Sequence, residues 1–284
     1  MKEQHAHAWT VEIKPQSAWF NLNLRRIWQY RDLLALFVKR DFIAQYKQTI
    51  LGPLWFLIQP MLTTIVFTVI FGNVAKISTD GLPPLAFYLV GITGWNYFAD
   101  CISKTSNTFT SNARIFEKVY FPRIIVPLSV VTSSLIRFSI QLLLLIGTIA
   151  YYVVKGRLEV PGLQVLMVVP LVAILAGLGL GMGMTISSMT TKYRDLQFLV
   201  SFGVQLLMYA TPVVYPLSFI SEKYRWVAMY NPLTSIIEGF RYIFLGAGSF
   251  SLLHLLYSFG CMCVILMLGA FAFNRTEQSF IDTV

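Results

Sequence analysis

The sequence predicts an all-α membrane protein with six transmembrane helices and both termini in the cytoplasm. It also predicts an N-terminal amphipathic interfacial helix and a re-entrant outer hairpin between spans five and six. Three observations carry this. Of 284 residues, 56% are hydrophobic and only 12% charged, whereas a soluble domain carries about 25% charged residues. Six apolar runs reach the roughly 20 residues that a helix needs to cross a bilayer. Lysine and arginine are also unevenly shared between the segments that join those runs.

The elements follow in order. Residues 1–53 form a cytoplasmic tail that lacks the apolar core a cleaved leader requires, so the first span is expected to target the chain. Within it, WFNLNLRRIWQYRDLLALFVKRDFIAQYK, residues 19–47, puts Ile27, Tyr30, Leu34, Phe37 and Val38 near one helical face. Arg25, Arg26, Arg31, Lys39 and Arg40 supply the polar remainder. This is the pattern of a helix in the headgroup plane, or of a cytoplasmic helix packed on a soluble partner.

The spanning domain covers residues 54–273. Runs 54–75, 163–190 and 196–220 contain no charge, and 82–102 contains only Asp100 near its end. Run 124–154 contains one charge, Arg137, and run 252–273 has none but includes His254. Residues 231–248 are apolar but interrupted by Pro232, Glu238 and Arg241. At under 20 residues this segment reads as a re-entrant or interfacial hairpin rather than a span. A short cytoplasmic tail, 274–284, closes the chain. No repeats or low-complexity stretches interrupt it.

With the N-terminus inside, fifteen basic residues fall in cytoplasmic segments and six in outer ones. That is the bias the positive-inside rule demands. The net charge of +9 then belongs with cytoplasmic loops and anionic lipid, and no basic run is long enough to suggest nucleic acid. Arg137 lies about 20 Å into its run at 1.5 Å per residue, whereas Asp100 is near the cytoplasmic end of its own. Their depths are not expected to match, so no pairing is predicted.

Several chemistries find no residues to carry them. There is no G-x-x-x-x-G-K-[ST] phosphate cradle, no Ser-His-Asp or Cys-His set, and no paired catalytic carboxylates. Cys101, Cys261 and Cys263 lie in or beside apolar runs and suit packing, while His5 and His7 form a lone His-Ala-His in the tail. No metal site is expected. The glycines of GLGLGMGM, residues 177–184, recur at four-residue spacing, which lets membrane helices approach closely. Intramembrane ionisable groups are too few for an evident proton or sodium relay.

One charged segment stands out. SNARIFEKVYFPR, residues 111–123, mixes Ile115, Phe116, Tyr120 and Phe121 with Arg114, Glu117, Lys118 and Arg123 in a cytoplasmic loop. Pro122 biases its predecessor away from the helical region, so a short helix and a sharp turn into the third span are expected. Exposed aromatics flanked by charge suit docking into a groove of another protein. At the outer end of the fifth run, Pro212 and Pro216 each remove a backbone donor and are expected to kink the helix. Glu238 and Arg241, three apart, share a helical face.

These segments resemble the membrane subunit of ABC type-2 exporter permeases, in the branch that exports O-antigen, capsule or teichoic-acid polysaccharide. Segment 111–123 is similar to that family's coupling-helix region. QYKQTILGPLWFLIQP, residues 45–60, resembles its entry into the first span. YRDLQFLVSFGVQLLMYATPVVYP, residues 193–216, resembles its fifth span, and YNPLTSIIEGFRYIFLG, residues 230–246, its outer gate. The resemblance implies a homodimeric half-transporter in a bacterial inner membrane that moves a polyprenyl-diphosphate-linked polysaccharide. Two copies of a separate ABC ATPase would supply ATP and Mg, and this chain would hold no cofactor and do no catalysis.

The same resemblance assigns roles. Residues 114–123, including Pro122, would couple to the ATPase. Trp55, Phe56, Gln59, Gln205, Tyr209 and Tyr215 would line the substrate path. Pro212, Pro216, Asn231, Pro232, Glu238 and Arg241 would form the outer gate. Charge alone makes Arg25, Arg26, Arg31 and Arg40 candidates for a diphosphate anchor. Two other readings are an exporter of a small amphiphile or drug and an ion-coupled transporter without an ATPase.

Overall fold

A computed structural model describes residues 24–193 and 195–283, so the His-Ala-His and the start of the amphipathic segment lie outside the described residues. Eleven α-helices appear among the described residues: α1 Leu24–Gln29, α2 Arg31–Tyr46, α3 Trp55–Phe67, α4 Pro84–Thr105, α5 Thr108–Phe116, α6 Ile125–Val154, α7 Val168–Thr190, α8 Leu196–Ala210, α9 Glu222–Tyr230, α10 Pro232–Leu245 and α11 Leu252–Thr283. No strand occurs among them.

Among the described residues, four helical segments are long and apolar enough to cross a bilayer: Gly52–Val74, Ile125–Val154, Leu163–Thr190 and Leu252–Glu277. The first is a composite. A 3-10 turn, Gly52–Leu54, leads into α3, which continues as a π-helix, Thr68–Val74. Pro60 lies inside α3 and cannot donate to the ladder, and its carbonyl also takes a bond from the Thr64 hydroxyl at 2.7 Å.

The other two apolar runs differ from the four. α4 has 22 residues but carries Asn96, Asp100 and Lys104, and most of its side chains are buried against α3, α6, α7 and α10. A helix enclosed by other helices needs no uniformly apolar surface. α8 has only 15 residues, about 22 Å at 1.5 Å per residue. The run read as continuing to residue 220 leaves the helix at Thr211, which adopts an extended conformation. Likewise, no break marks the start of the C-terminal tail at 274, because α11 is helical through Thr283.

The glycine series explains how the core closes. A Cβ on Gly179 would meet Cys101 Cβ at 2.5 Å, and one on Gly183 would meet Thr105 Cβ at 2.5 Å, both on α4. A Cβ on Gly181 would lie 2.8 Å from the Ile265 backbone of α11, and Gly269 of α11 would strike the Gly181 carbonyl. Alternate glycines thus bring α7 against α4 on one side and α11 on the other. The close approach that the spacing predicts occurs within one chain, where dispersion contacts and short backbone distances hold membrane helices together.

The main core gathers Phe87, Phe98, Leu145, Leu171, Leu175, Ile236 and Phe240 around α4, α7 and α10. A second cluster lies at the other end of the spans. It joins Phe37 of α2, Phe109 and Phe116 of α5, Phe121, Ile125 and Val126, Met184 of α7, and Ala270 and Phe273 of α11. The apolar face of α2 is therefore packed on its own chain, on α6 and Phe121, through a 5.6 Å Phe37–Phe121 ring contact.

Candidate coupling loop and outer gate

α5 follows α4 after a two-residue turn that Thr190 of α7 fastens by donating its hydroxyl to the Ser106 carbonyl at 3.0 Å. Beyond α5 the chain turns through residues 117–124 into α6. The aromatic residues of this segment divide. Phe116 and Phe121 are 7% and 5% exposed and sit 5.8 Å apart in the second cluster. Tyr120 is 58% exposed. Phe116 and Phe121 thus anchor the loop and are not the exposed aromatics the sequence suggests. Their apolar neighbours Phe37, Phe109 and Phe273 could not be seen in a local window. The surface is formed by Arg114, Glu117, Lys118, Val119 and Tyr120, with Ile115 and Pro122 half-buried.

Two further attachments hold this loop, and neither was legible in the sequence because each joins it to the distant end of α11, Arg123 to Glu277 and Phe109 to Phe273. The Arg123 guanidinium donates to the Glu277 carbonyl at 3.2 Å, and the Arg123 backbone N–H points to the Glu277 carboxylate at 3.4 Å. Burial pushes the Arg123 pKa below its ordinary value, while Glu277 pulls it back up. Phe109 stacks on Phe273 at 4.5 Å. The end of α11 thereby braces the whole segment.

The second site lies where α8 ends. Thr211, Pro212, Val213, Val214 and Pro216 are buried in non-helical conformation. Buried backbone groups need partners, and α10 provides them. Arg241 donates to the Val213 carbonyl at 2.9 Å and to the Tyr215 carbonyl at 3.3 Å. Its guanidinium is also ion-paired to Glu238 at 2.6 Å and lies 3.9 Å from the Phe87 ring centroid. Glu238 in turn accepts from the Ser249 N–H at 3.1 Å. The pair is buried, so removing either partner would strand the other in a low-dielectric setting.

α10 begins as its sequence dictates. Asn231 caps it by accepting from the Leu233 N–H at 3.0 Å, Pro232 occupies the first turn, and Gly246 ends it with φ of 68°. This is the expected N-terminal proline and C-terminal glycine asymmetry. Asn231 also donates to the Thr211 hydroxyl at 2.9 Å, a second tie to the unwound segment. A cavity of about 120 Å³ behind the ion pair is lined by Leu217, Met229, Ser235, Glu238, Phe250 and His254, among others. Ser218 donates to Asp80 at 2.8 Å, which closes the loops on that end.

The remaining predicted positions are exposed or half-buried. Trp55 and Gln59 are exposed on α3, as are Gln205 and Tyr209 on α8. Both helices flank α4. Phe56 is half-buried against Phe42, and the Tyr215 hydroxyl donates to the Tyr209 carbonyl at 2.8 Å. Arg25 and Arg31 are exposed, whereas Arg40 is engaged with Asp41 at 2.7 Å. The side chain of Arg26 lies outside the described residues.

Arg137 departs from expectation. It pairs with Asp100 at 2.6 Å. The depths match because α6 has 30 residues, about 45 Å at 1.5 Å per residue, which exceeds a hydrocarbon core of about 30 Å. Its first turns pack beside α2 and join the second cluster through Ile125 and Val126, so Arg137 is shallower than a count from the start of its run suggests.

A chain whose described regular structure is all helical, with four apolar, membrane-length segments among the described residues and a braced loop at one end, is a multi-pass membrane protein. The chain belongs to the ABC-2 type transporter family, whose profile matches residues 32–245. It is 30% identical over 254 residues to an "O-antigen export system permease protein RfbA" of Klebsiella pneumoniae, covering 88% of this chain and 94% of that protein. A second Klebsiella pneumoniae protein of the same description is 29% identical over 253 residues with the same coverage. A Myxococcus xanthus protein of that description is 30% identical over 225 residues, 78% of this chain and 83% of its own length.

Proposed function

We propose that this chain is the permease subunit of an ATP-driven exporter that carries a polyprenyl-diphosphate-linked polysaccharide of the O-antigen class across a bacterial inner membrane. The observation that supports this most is the similarity to O-antigen export permeases along 88% of the chain. In this reading α4 and α8 join the four longer helical segments to make six spans, with both termini inside and α9–α10 as a hairpin on the outer side. Two copies form the channel, and two copies of a separate ATPase dock beneath it on Arg114, Glu117, Lys118 and Tyr120.

The path in this reading runs along α3 and α8. Both helices bury few side chains, with only Pro60 and Thr64 buried on α3 and none on α8. Exposed Trp55 and Tyr209 would stack on sugar rings, and Gln59 and Gln205 would bond their hydroxyl rims. Pro212, Pro216, Asn231, Pro232, Glu238 and Arg241 would hold the outer end closed.

The test is purification from native membranes, followed by ATPase assay with and without lipid-linked glycan. A co-purifying nucleotide-binding subunit whose turnover rises with the glycan supports the reading. Turnover that responds only to small hydrophobic compounds would redirect it to amphiphile export, and transport with no ATPase would overturn it.

A further inference from the structure

The export reading leaves Asp100, Lys104 and Arg137 unused. Asp100 of α4 holds two cations: Arg137 Nη1 of α6 at 2.6 Å and Lys104 Nζ at 3.3 Å. A second guanidinium nitrogen of Arg137 donates to Ser134 Oγ at 2.9 Å. The guanidinium is thus fixed from two sides, yet its Nε is buried without an acceptor. Two cations share one carboxylate, so the cluster carries an excess positive charge between two membrane helices. The side chains of Lys104 and Asp100 are 35% and 28% exposed, against 9% for Arg137, so the cluster can be reached from the lysine side.

Excess charge in such a setting is costly and usually marks a counter-ion or a water-lined path. The C-terminus of α4 relieves part of it, since Lys104 lies in the last turn where the helix dipole favours a cation. The same position fixes the depth. Lys104 is one residue from the end of α4 and adjoins the turn into α5, which places it at the headgroup level on the coupling-loop side. Basic clefts between membrane helices on the cytoplasmic side suit phosphorylated lipid headgroups.

We infer that the α4–α6 seam at Lys104 and Arg137 binds a lipid-borne phosphate. Lys104 reaches it as the mobile donor, while Asp100 and Ser134 hold Arg137 as the fixed charge behind it. The cytoplasmic assignment of this depth rests on the orientation proposed above. The phosphate has two possible sources, an anionic glycerophospholipid or a polyprenyl diphosphate.

The experiment measures lipid retained by the purified chain, by native mass spectrometry, with phosphatidylglycerol and phosphatidylcholine as probes and polyprenyl diphosphate as competitor. Lys104→Gln leaves Asp100 and Arg137 as a neutral pair and should weaken phosphatidylglycerol retention roughly fivefold. Lys104→Arg should restore it. Displacement by polyprenyl diphosphate assigns the site to a carrier, and retention despite it assigns the site to phospholipid. Unchanged retention in Lys104→Gln, or wild-type retention that ignores headgroup charge and salt, overturns the inference. Neither readout needs the ATPase, so a chain that binds phosphate lipid but fails to export would fault the function proposal alone.

Discussion

Phe109 of α5 stacks face to face on Phe273 of α11, with ring centroids 4.5 Å apart and an interplanar angle of 26°. The short helix before the loop is thus fixed to a helix that starts 144 residues after it along the chain. Both rings are fully buried. Truncating Phe109 or Phe273 to alanine should cost about 3–5 kcal/mol, read as a loss of thermal stability in detergent. An unchanged melting temperature would show that this contact does not hold α5 in place.

Within the loop, buried and exposed aromatics should separate by phenotype. Phe116→Ala and Phe121→Ala should lower thermal stability, because each empties a site in the second cluster. Tyr120→Ala should leave stability within about 0.5 kcal/mol and instead reduce retention of the ATPase in a pull-down. Equal retention with and without the Tyr120 ring would remove this face from the docking surface.

The Glu238–Arg241 pair should give asymmetric losses. Glu238→Gln removes the charge partner of a buried guanidinium. Arg241→Leu additionally frees the Val213 and Tyr215 carbonyls. Single losses at a buried pair run about 3–5 kcal/mol, and the arginine change should be the larger. Hydrogen exchange across 211–216 is the specific readout: it should accelerate in Arg241→Leu more than in Glu238→Gln.

Glycine position should decide the sign of alanine substitution. Gly181→Ala and Gly179→Ala would push α7 off α11 and α4 and should destabilise by about 1–3 kcal/mol or more. Gly147→Ala on α6 meets nothing within 4 Å and should gain up to about 1 kcal/mol. Thermal unfolding of the three variants beside wild type checks both signs.

Much of the helical order was legible because apolar run length and the positions of proline and glycine are local properties. Pro232 marked the start of the 231–248 segment, which folds as α10 from Pro232 to Leu245. Pro212 and Pro216 marked a kink at the end of α8, but the full exit from the helix there was not legible, since leaving a helix inside an apolar run needs a distant side chain to satisfy the freed carbonyls, and here that is Arg241. Phe116 and Phe121 read as surface groups because their charged neighbours dominate the window, while the aromatics that bury them come from α2, α5 and α11. The Asp100–Arg137 pair was hidden by depth. Counting residues from the start of a run assumes that the run starts at the membrane, whereas α6, at 30 residues, is longer than a hydrocarbon core of about 30 Å requires.

The two-sided glycine face of α7 sets where the molecule is stiff. α4, α7 and α11 touch nearly backbone to backbone, so separating them by even a side chain's width would forfeit the whole seam. α5 is continuous with α4 through a fastened corner, and α11 braces the far end of the loop. A push on the loop therefore displaces these helices as one body. α3 and α8, with few buried side chains, are the compliant elements, so strain delivered at one end of the protein has its softest outlet along those two helices.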